Sequence, residues 1–327
     1  MHPRSFTLAG SDVTIHPLAV GTWAWGDKSV WGMGSYDSSF GEATIREAWN
    51  SSLAAGVNLF DTAEMYGGGE SESLIGKLLA EETHAQKPVI ATKFLPAPWK
   101  LNVKSALLAA LRASLDRLGL AAVDLYQLHG PISLRSHAAL ADALAAAHAA
   151  GLLKAVGVSN YSLAETRSMD KQLRARGLRL ATNQIEFSLL RRSPETSGLI
   201  AGCRELGVVP LAYSPLGQGR LTGKYSASNP PLGNRFFSAH PMPLVEPVVT
   251  ELRRIGHKHG DRTPSQVALN WLLAKGVVPI AGAKNKQQAR ENAGALGWSI
   301  DADDIEALDA TALQGARSLK LRIWQHG

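Results

Sequence analysis

Eight short apolar runs recur along this chain, each followed by a stretch whose apolar residues repeat every three to four positions, and this alternation limits the possible folds more than any other feature. The runs are 18–21, 58–61, 89–93, 124–129, 155–159, 181–187, 208–214 and 277–283. The helical stretches are 42–55, 71–81, 104–118, 140–149, 163–176, 195–206 and 263–274, with 286–296 after the last run. Runs this continuously hydrophobic fit strands covered on both faces, as in a parallel sheet. Eight strand-plus-helix units predict an α/β protein of the (β/α)8 TIM-barrel type rather than a doubly wound sheet. Ahead of them, 5–8 and 13–16 flank the turn Ala9-Gly10-Ser11-Asp12 and read as an N-terminal β-hairpin outside the barrel. An extra helix is expected at the C-terminal end.

Helix ends carry matching signals. Ser71 with Glu72, Ser162 with Glu165, and Thr263-Pro264 with Gln266 read as N-terminal caps. Gly56, Gly119, Gly151, Gly177, Gly207 and Gly276 each stand between a helical run and a strand, where a left-handed cap is needed.

Size and charge narrow the function. The 327 residues, 45% hydrophobic, suffice for the core of one large domain over 1–327. No window approaches the ~20 consecutive apolar residues of a membrane helix. The start, Met-His-Pro-Arg-Ser-Phe-Thr, lacks the apolar core of an export signal, so a cytoplasmic protein without a membrane partner is expected. A single cysteine, Cys203, excludes an internal disulfide and a cysteine-based zinc site. The net charge of +6 comes from lysines and arginines spread along the chain rather than grouped in runs. That pattern argues against nucleic acid and for an anionic small molecule.

A barrel carries its chemistry at the C-terminal ends of its strands. There the sequence places Asp61, Lys93, His129, Ser159, Asn160, Gln184 and Tyr213, with Tyr66 in the turn beyond Asp61. In such a fold these distant residues converge. An ammonium beside a phenol favours the phenolate and lowers the tyrosine pKa from about 10, while a carboxylate holds the lysine. Asp61, Lys93 and Tyr66 thus suit proton delivery to a carbonyl oxygen, and His129 suits a hydrogen bond to the same oxygen. No metal is expected: there is no HExxH or similar pair, and His257 and His259, two apart, face different sides of a helix. No GxSxG elbow serves a serine nucleophile, and Gly67-Gly68-Gly69 lacks the spacing of a dinucleotide fingerprint. Taken singly, each of these polar residues is more often structural: an Asp forming a turn, a hydrogen-bonded core His, a solvated Lys. Their recurrence at successive strand ends is what argues for function.

Six motifs carry a family resemblance: Phe60-Asp61-Thr62-Ala63-Glu64-Met65-Tyr66-Gly67, Ala91-Thr92-Lys93, Asp124-Leu125-Tyr126-Gln127-Leu128-His129, Val156-Gly157-Val158-Ser159-Asn160-Tyr161, Ala212-Tyr213-Ser214-Pro215-Leu216 and Pro279-Ile280-Ala281-Gly282-Ala283-Lys284. In order and spacing, from about Pro17 to about Leu308, the chain resembles the aldo-keto reductases. Gly21-Thr22-Trp23-Ala24-Trp25-Gly26-Asp27, Leu221-Thr222-Gly223-Lys224-Tyr225 and Gly294-Ala295-Leu296-Gly297-Trp298 most resemble the branch of plant chloroplasts and cyanobacteria that is similar to pyridoxal reductases.

The resemblance implies reversible, NADPH-dependent reduction of an aldehyde or ketone, with Tyr66 as general acid, Lys93 and Asp61 tuning it, and His129 positioning the carbonyl. It implies that Ser159, Asn160 and Gln184 hydrogen-bond the nicotinamide carboxamide and that Tyr213 stacks on the ring. Ser214, Pro215, Leu216, Gln218, Gly219 and Lys224 would take the pyrophosphate, and Gly282, Lys284, Gln288 and Asn292 the adenosine end. Gly21, Thr22, Trp23 and Asp61 would border the cofactor as well. Many relatives carry arginine where Gln288 stands. Lys284 is therefore the expected cation for the 2′-phosphate, with Lys286 and Arg290 as helpers and NADH as a weaker alternative cofactor.

Segment 226–243 holds Pro230, Pro231, Pro241 and Pro243, the turn Gly233-Asn234-Arg235 and the pair Phe236-Phe237, and reads as a loop or lid. Trp23, Trp31 and Trp99, with Trp25, fall on loops after the first and third barrel strands and predict an apolar pocket for the carbonyl substrate. Trp271 and Trp298 read as structural. Two rival readings are a cofactor-sensing subunit resembling potassium-channel β-subunits and a phosphate-binding isomerase on the same barrel. The sequence offers no evident docking extension for the first and no adjacent carboxylate pair for the second.

Overall fold

Two short strands, β1 (Phe6–Thr7) and β2 (Thr14–Ile15), pair antiparallel ahead of everything else. β3 (Ala19–Gly21), β4 (Leu59–Asp61), β5 (Val89–Phe94), β6 (Val123–Leu128), β7 (Leu153–Ser159), β8 (Leu180–Glu186), β9 (Val209–Tyr213) and β10 (Val278–Gly282) then pair parallel in chain order, and β10 closes onto β3. Each of the eight lies within two residues of the run predicted for it. The computed structural model describes residues 5–35, 37–85, 87–231, 237, 239–315 and 323–327. Among them no helix is long and apolar enough to cross a membrane.

The helices are α1 (Glu42–Ala54), α2 (Glu70–Ala80), α3 (Val103–Leu118), α4 (His137–Ala149), α5 (Leu163–Arg174), α6 (Ser193–Thr196), α7 (Leu199–Leu206), α8 (Met242–Lys258), α9 (Pro264–Ala274), α10 (Lys286–Ala293) and α11 (Ala302–Thr311). Reciprocal capping boxes form at Ser162–Glu165 and Thr263–Gln266, as the sequence predicts. Gly119 closes α3 at φ +66°. α11 is the expected extra helix.

Three helix readings need correction. Ser71 does not cap α2, which starts one residue earlier from Gly69; its hydroxyl is buried, bonded to Thr62 and Thr22. The stretch 195–206 is two helices, because Gly198 at φ +79° separates α6 from α7. α8 is a helix the sequence reading lacks, and it takes in Met242 and Pro243 from the end of the expected loop. Pro243 lies in its first turn, where a missing N–H costs nothing. Pro247 forfeits about 3 kcal/mol, but Val245, Val248, Val249, Leu252 and Ile255 bury one face, each contributing roughly 1.5–3 kcal/mol. Burial outweighs the proline. The Gly233-Asn234-Arg235 turn and Phe236 lie outside the described residues.

Inside the barrel, Ala19, Leu59, Val89, Ala91, Leu125, Ala155, Leu211 and Val278 pack with Leu8, Val13 and Ile15 of the hairpin, which plugs the lower end. Asn58 stitches the plug to β4: its Oδ1 accepts from His16 N at 2.8 Å and its Nδ2 donates to Thr14 O at 2.9 Å. A separate cluster fills the space between barrel and helices.

Candidate active site

The upper rim continues the same inward face. Along β4, β5, β6 and β9 an apolar interior residue is followed two positions later by a polar one: Leu59 by Asp61, Ala91 by Lys93, Leu125 by Gln127, Leu211 by Tyr213. Alternating side chains make both members of each pair face inward. Register does the rest, since Lys93 stands opposite Gln127, Gln127 opposite Gly157 and Gly157 opposite Thr182. A Cβ at Gly157 would lie 2.1 Å from Thr182 Oγ1 and 2.8 Å from Gln127 Cγ, so glycine leaves room for the amide beneath the site.

Lys93 is the centre. Its Nζ donates to Asp61 Oδ2 at 2.6 Å, Thr62 O at 2.9 Å and Tyr66 Oη at 3.3 Å, which uses all three ammonium hydrogens. Asp61 Oδ1 accepts from Gln184 Nε2 at 2.8 Å and Gln127 Nε2 at 3.2 Å. The pair is buried, and every polar atom in it has a partner, the condition under which a buried ion pair persists.

Burial alone would pull Lys93 down, but Asp61 and Tyr66 outweigh it and hold the ammonium above its ordinary value. For Tyr66, burial pushes the phenol up, Lys93 draws it down and Asp61 adds a further upward push. The net direction is upward, opposite to the lowering the sequence predicts, because burial of the phenol outweighs the pull of Lys93 and Asp61 adds to it. Tyr66 therefore stays a protonated donor. Burial first and Lys93 second hold His129 well below its ordinary value, so its imidazole is neutral. His129 Nδ1 is buried without a hydrogen-bond partner among the described residues, and the ring lies edge-on to Tyr66 at 5.8 Å.

A second polar line crosses β7, β8 and β9. Ser159 Oγ donates to Gln184 O at 2.9 Å, Asn160 Nδ2 to Ser159 Oγ at 3.1 Å, and Tyr213 Oη to Asn160 Oδ1 at 2.9 Å. Asn160, Ser214 and Gln218 have φ of +64°, +51° and +54°; only Asp261 joins them as a non-glycine residue at positive φ among the described residues. Left-handed strain is thus concentrated at this rim.

The rims enclose a cleft of 1510 Å³, above the roughly 300–1,000 Å³ of drug-sized pockets and suited to a long ligand plus a small one. Every residue predicted to bind cofactor lines it except Thr22, which is buried with its hydroxyl on Asp61 O. Asp61, Tyr66 and His129 reach it as well; Lys93 lies beneath, fully buried. Trp23 and Trp31 form an aromatic wall, at 5.7 Å from each other, and Trp23 lies 6.0 Å from Phe237. Trp99 does not line the cleft: it is 76% exposed on the loop after β5. Trp25 is core, with its indole N–H on Ala283 O. At the far end Lys284 Nζ donates to Trp31 O at 2.9 Å, while Gln288 Oε1 and Asn292 Nδ2 brace the loop through Lys284 N and Gly282 O. Lys286 and Arg290 do not line the cleft. The donors and two lysines, Lys224 and Lys284, fit an elongated anion.

His259, Asp301 and Asp304 lie close enough to share a cation, but away from the cleft, and Asp304 already takes Arg254, Lys258 and His259. Two further residues at the site lie beyond the family resemblance, which ends near Leu308, and carry no signal in the sequence. Trp324 lines the cleft 5.4 Å from the His129 ring, and Gln325 donates to Tyr213 Oη at 2.8 Å.

A model of the aldo/keto reductase family matches residues 17–312. The chain is 38% identical to a chloroplastic pyridoxal reductase of Arabidopsis thaliana over 327 residues, covering 96% of this chain and 87% of that one. It is 32% identical to an L-glyceraldehyde 3-phosphate reductase of Escherichia coli over 303 residues, covering 86% and 85%. Among solved structures, a glycerol dehydrogenase of Gluconobacter oxydans superimposes with a TM-score of 0.81 at 26% identity, over 97% of this chain and 98% of that one.

Proposed function

Because the chain belongs to the aldo/keto reductase family, an oxidoreductase family, we propose that it reduces an aldehyde to the alcohol with NADPH, reversibly, and that Tyr66 delivers the proton. The observation that carries this reading is Lys93 bridging Asp61 and Tyr66 at the base of the cleft, with a neutral His129 beside them. When bound, the nicotinamide supplies a hydride to the carbonyl carbon. Tyr66 Oη gives its proton to the carbonyl oxygen as negative charge gathers there. The Lys93 ammonium stabilises the phenolate left behind, and Asp61 keeps that ammonium charged and in place. Neutral His129 donates a hydrogen bond that orients the carbonyl. In the reverse direction the Tyr66 phenolate takes the alcohol proton.

Ser159, Asn160 and Gln184 are assigned to the carboxamide, Tyr213 to the ring, the loop after β9 with Lys224 to the pyrophosphate, and Lys284 to the 2′-phosphate. The aromatic wall of Trp23, Trp31 and Phe237 and the likeness to a pyridoxal reductase favour an aromatic aldehyde of the pyridoxal type. The test is loss of NADPH absorbance with pyridoxal and a panel of small aldehydes and ketones, comparing wild type, Tyr66→Phe and Lys284→Met with NADPH and NADH. Turnover should need Tyr66, and Lys284→Met should raise KM for NADPH about tenfold, the worth of one charge-assisted bond, with little effect on NADH. Tight cofactor binding without Tyr66-dependent turnover on any carbonyl would instead indicate a binding role.

A further inference from the structure

Gln325 is 1% exposed, and its amide nitrogen makes two bonds, one to the Glu186 carboxylate and one to Tyr213 Oη. An amide nitrogen has two hydrogens, so both are used. The amide cannot be turned over, because its oxygen would then face a carboxylate, which only accepts. That oxygen is left buried without a hydrogen-bond partner among the described residues, an unfavourable placement that packing alone does not explain.

The consequence runs along the site. Tyr213 Oη accepts from Gln325, so its own hydrogen goes to Asn160 Oδ1 at 2.9 Å. This fixes the Asn160 amide with Nδ2 toward Ser159 Oγ, and Ser159 in turn donates to Gln184 O. One amide from outside the barrel therefore sets the direction of each bond in the line. Its neighbours support it: Trp324 packs on His129, and His326 N donates to Asn160 O at 3.0 Å.

We propose that Gln325 is a positioning residue that fixes the tilt of the Tyr213 ring and the orientation of the Asn160 amide, and thereby the affinity for the nicotinamide end of the cofactor. The inference rests on the reading above that Tyr213 and Asn160 meet the nicotinamide. Gln325→Met keeps the length and removes both donors. Its dissociation constant for NADP+ is measured by tryptophan quenching, beside that for adenosine 2′,5′-bisphosphate, which has no nicotinamide. NADP+ should bind about five- to tenfold more weakly, as expected for one or two buried hydrogen bonds, and the bisphosphate as in wild type. Tyr213→Phe, which removes the hydroxyl, should give a similar loss, and the double variant no more than either single one. Tyr213→Phe, which leaves Gln325 on Glu186, carries the test by itself if the methionine variant fails to fold. Equal weakening of the bisphosphate, or losses that multiply in the double variant, would overturn the proposal. Wild type that binds neither NADP+ nor NAD+ would overturn the reductase reading itself, and this inference with it.

Discussion

The lower and upper halves of the barrel interior are lined by the same face of the same strands, yet they hold together in different ways. Below, Leu59, Ala91, Leu125 and Leu211 pack in one cluster with the hairpin residues Leu8, Val13 and Ile15. Above, two residues further along, directed bonds join Lys93 and Gln127 to Asp61 and Tyr213 to Asn160. Apolar burial is non-directional, and its loss is graded by the volume removed. A buried ion pair needs both partners, and removing one leaves the other charge stranded. The floor should therefore carry stability without chemistry, and the rim chemistry at a cost in stability.

The largest expected effect is on the rim. Tyr66→Phe deletes the proton donor but only one 3.3 Å bond to Lys93. Turnover should fall roughly 10²- to 10⁴-fold, while the melting temperature stays near that of wild type, as steady-state kinetics and thermal melts would show. A melting loss as large as that of a core cavity would break the comparison. Next in size is Lys93→Met, which strands Asp61 and should destabilise by roughly 3–5 kcal/mol in urea melts. Adding Asp61→Leu should recover much of that stability and no activity. Leu125→Ala, on the same face one strand over, should cost roughly 2–5 kcal/mol and leave kcat within a small factor. Gly157→Ala sits at the boundary, where the new Cβ meets Thr182 and Gln127. It should cost roughly 1–3 kcal/mol and weaken cofactor binding together, sharpening the line between the halves.

The contrast also explains what could be read from the sequence. Strands β3 to β10 were legible because burial on both faces makes them continuously apolar, and the rim because a polar residue interrupts that pattern at a fixed place. Helix α8 was not, because Pro241, Pro243 and Pro247 give a local signal that the burial of Val248, Leu252 and Ile255 overrides. Trp99 looks like a pocket residue from its place after β5, yet its loop turns it to solvent. The direction of the Tyr66 pKa depends first on how deeply the phenol is buried and then on the Lys93–Asp61 pair beside it, and both are matters of three-dimensional packing. Trp324 and Gln325 carry no periodicity or spacing that ties them to His129 or Tyr213. Only packing of the folded chain does so.

The smallest expected effect is a dependence on pH, and it separates the halves once more. His129 faces Tyr66, Lys93 and Trp324, and burial with the lysine charge holds its folded pKa well below the 6.5 of the free imidazole. Between those two values the unfolded chain holds a proton that the folded protein lacks, so stability rises with pH there. The contribution is full above about pH 6.5 and is lost as pH falls, by at most about 1.4 kcal/mol per pH unit for one group. In urea melts from about pH 8 to about pH 5, above the main carboxylate range, wild type should lose stability faster than His129→Asn. The deficit of Leu125→Ala, which involves no titrating group, should stay constant over the same range. Over about pH 6.5 to 8 the imidazole remains neutral, so kcat should show no step that His129→Asn removes. If the two stability curves run parallel, His129 titrates normally in the folded protein, and the neutral donor assigned to the carbonyl oxygen is lost with it.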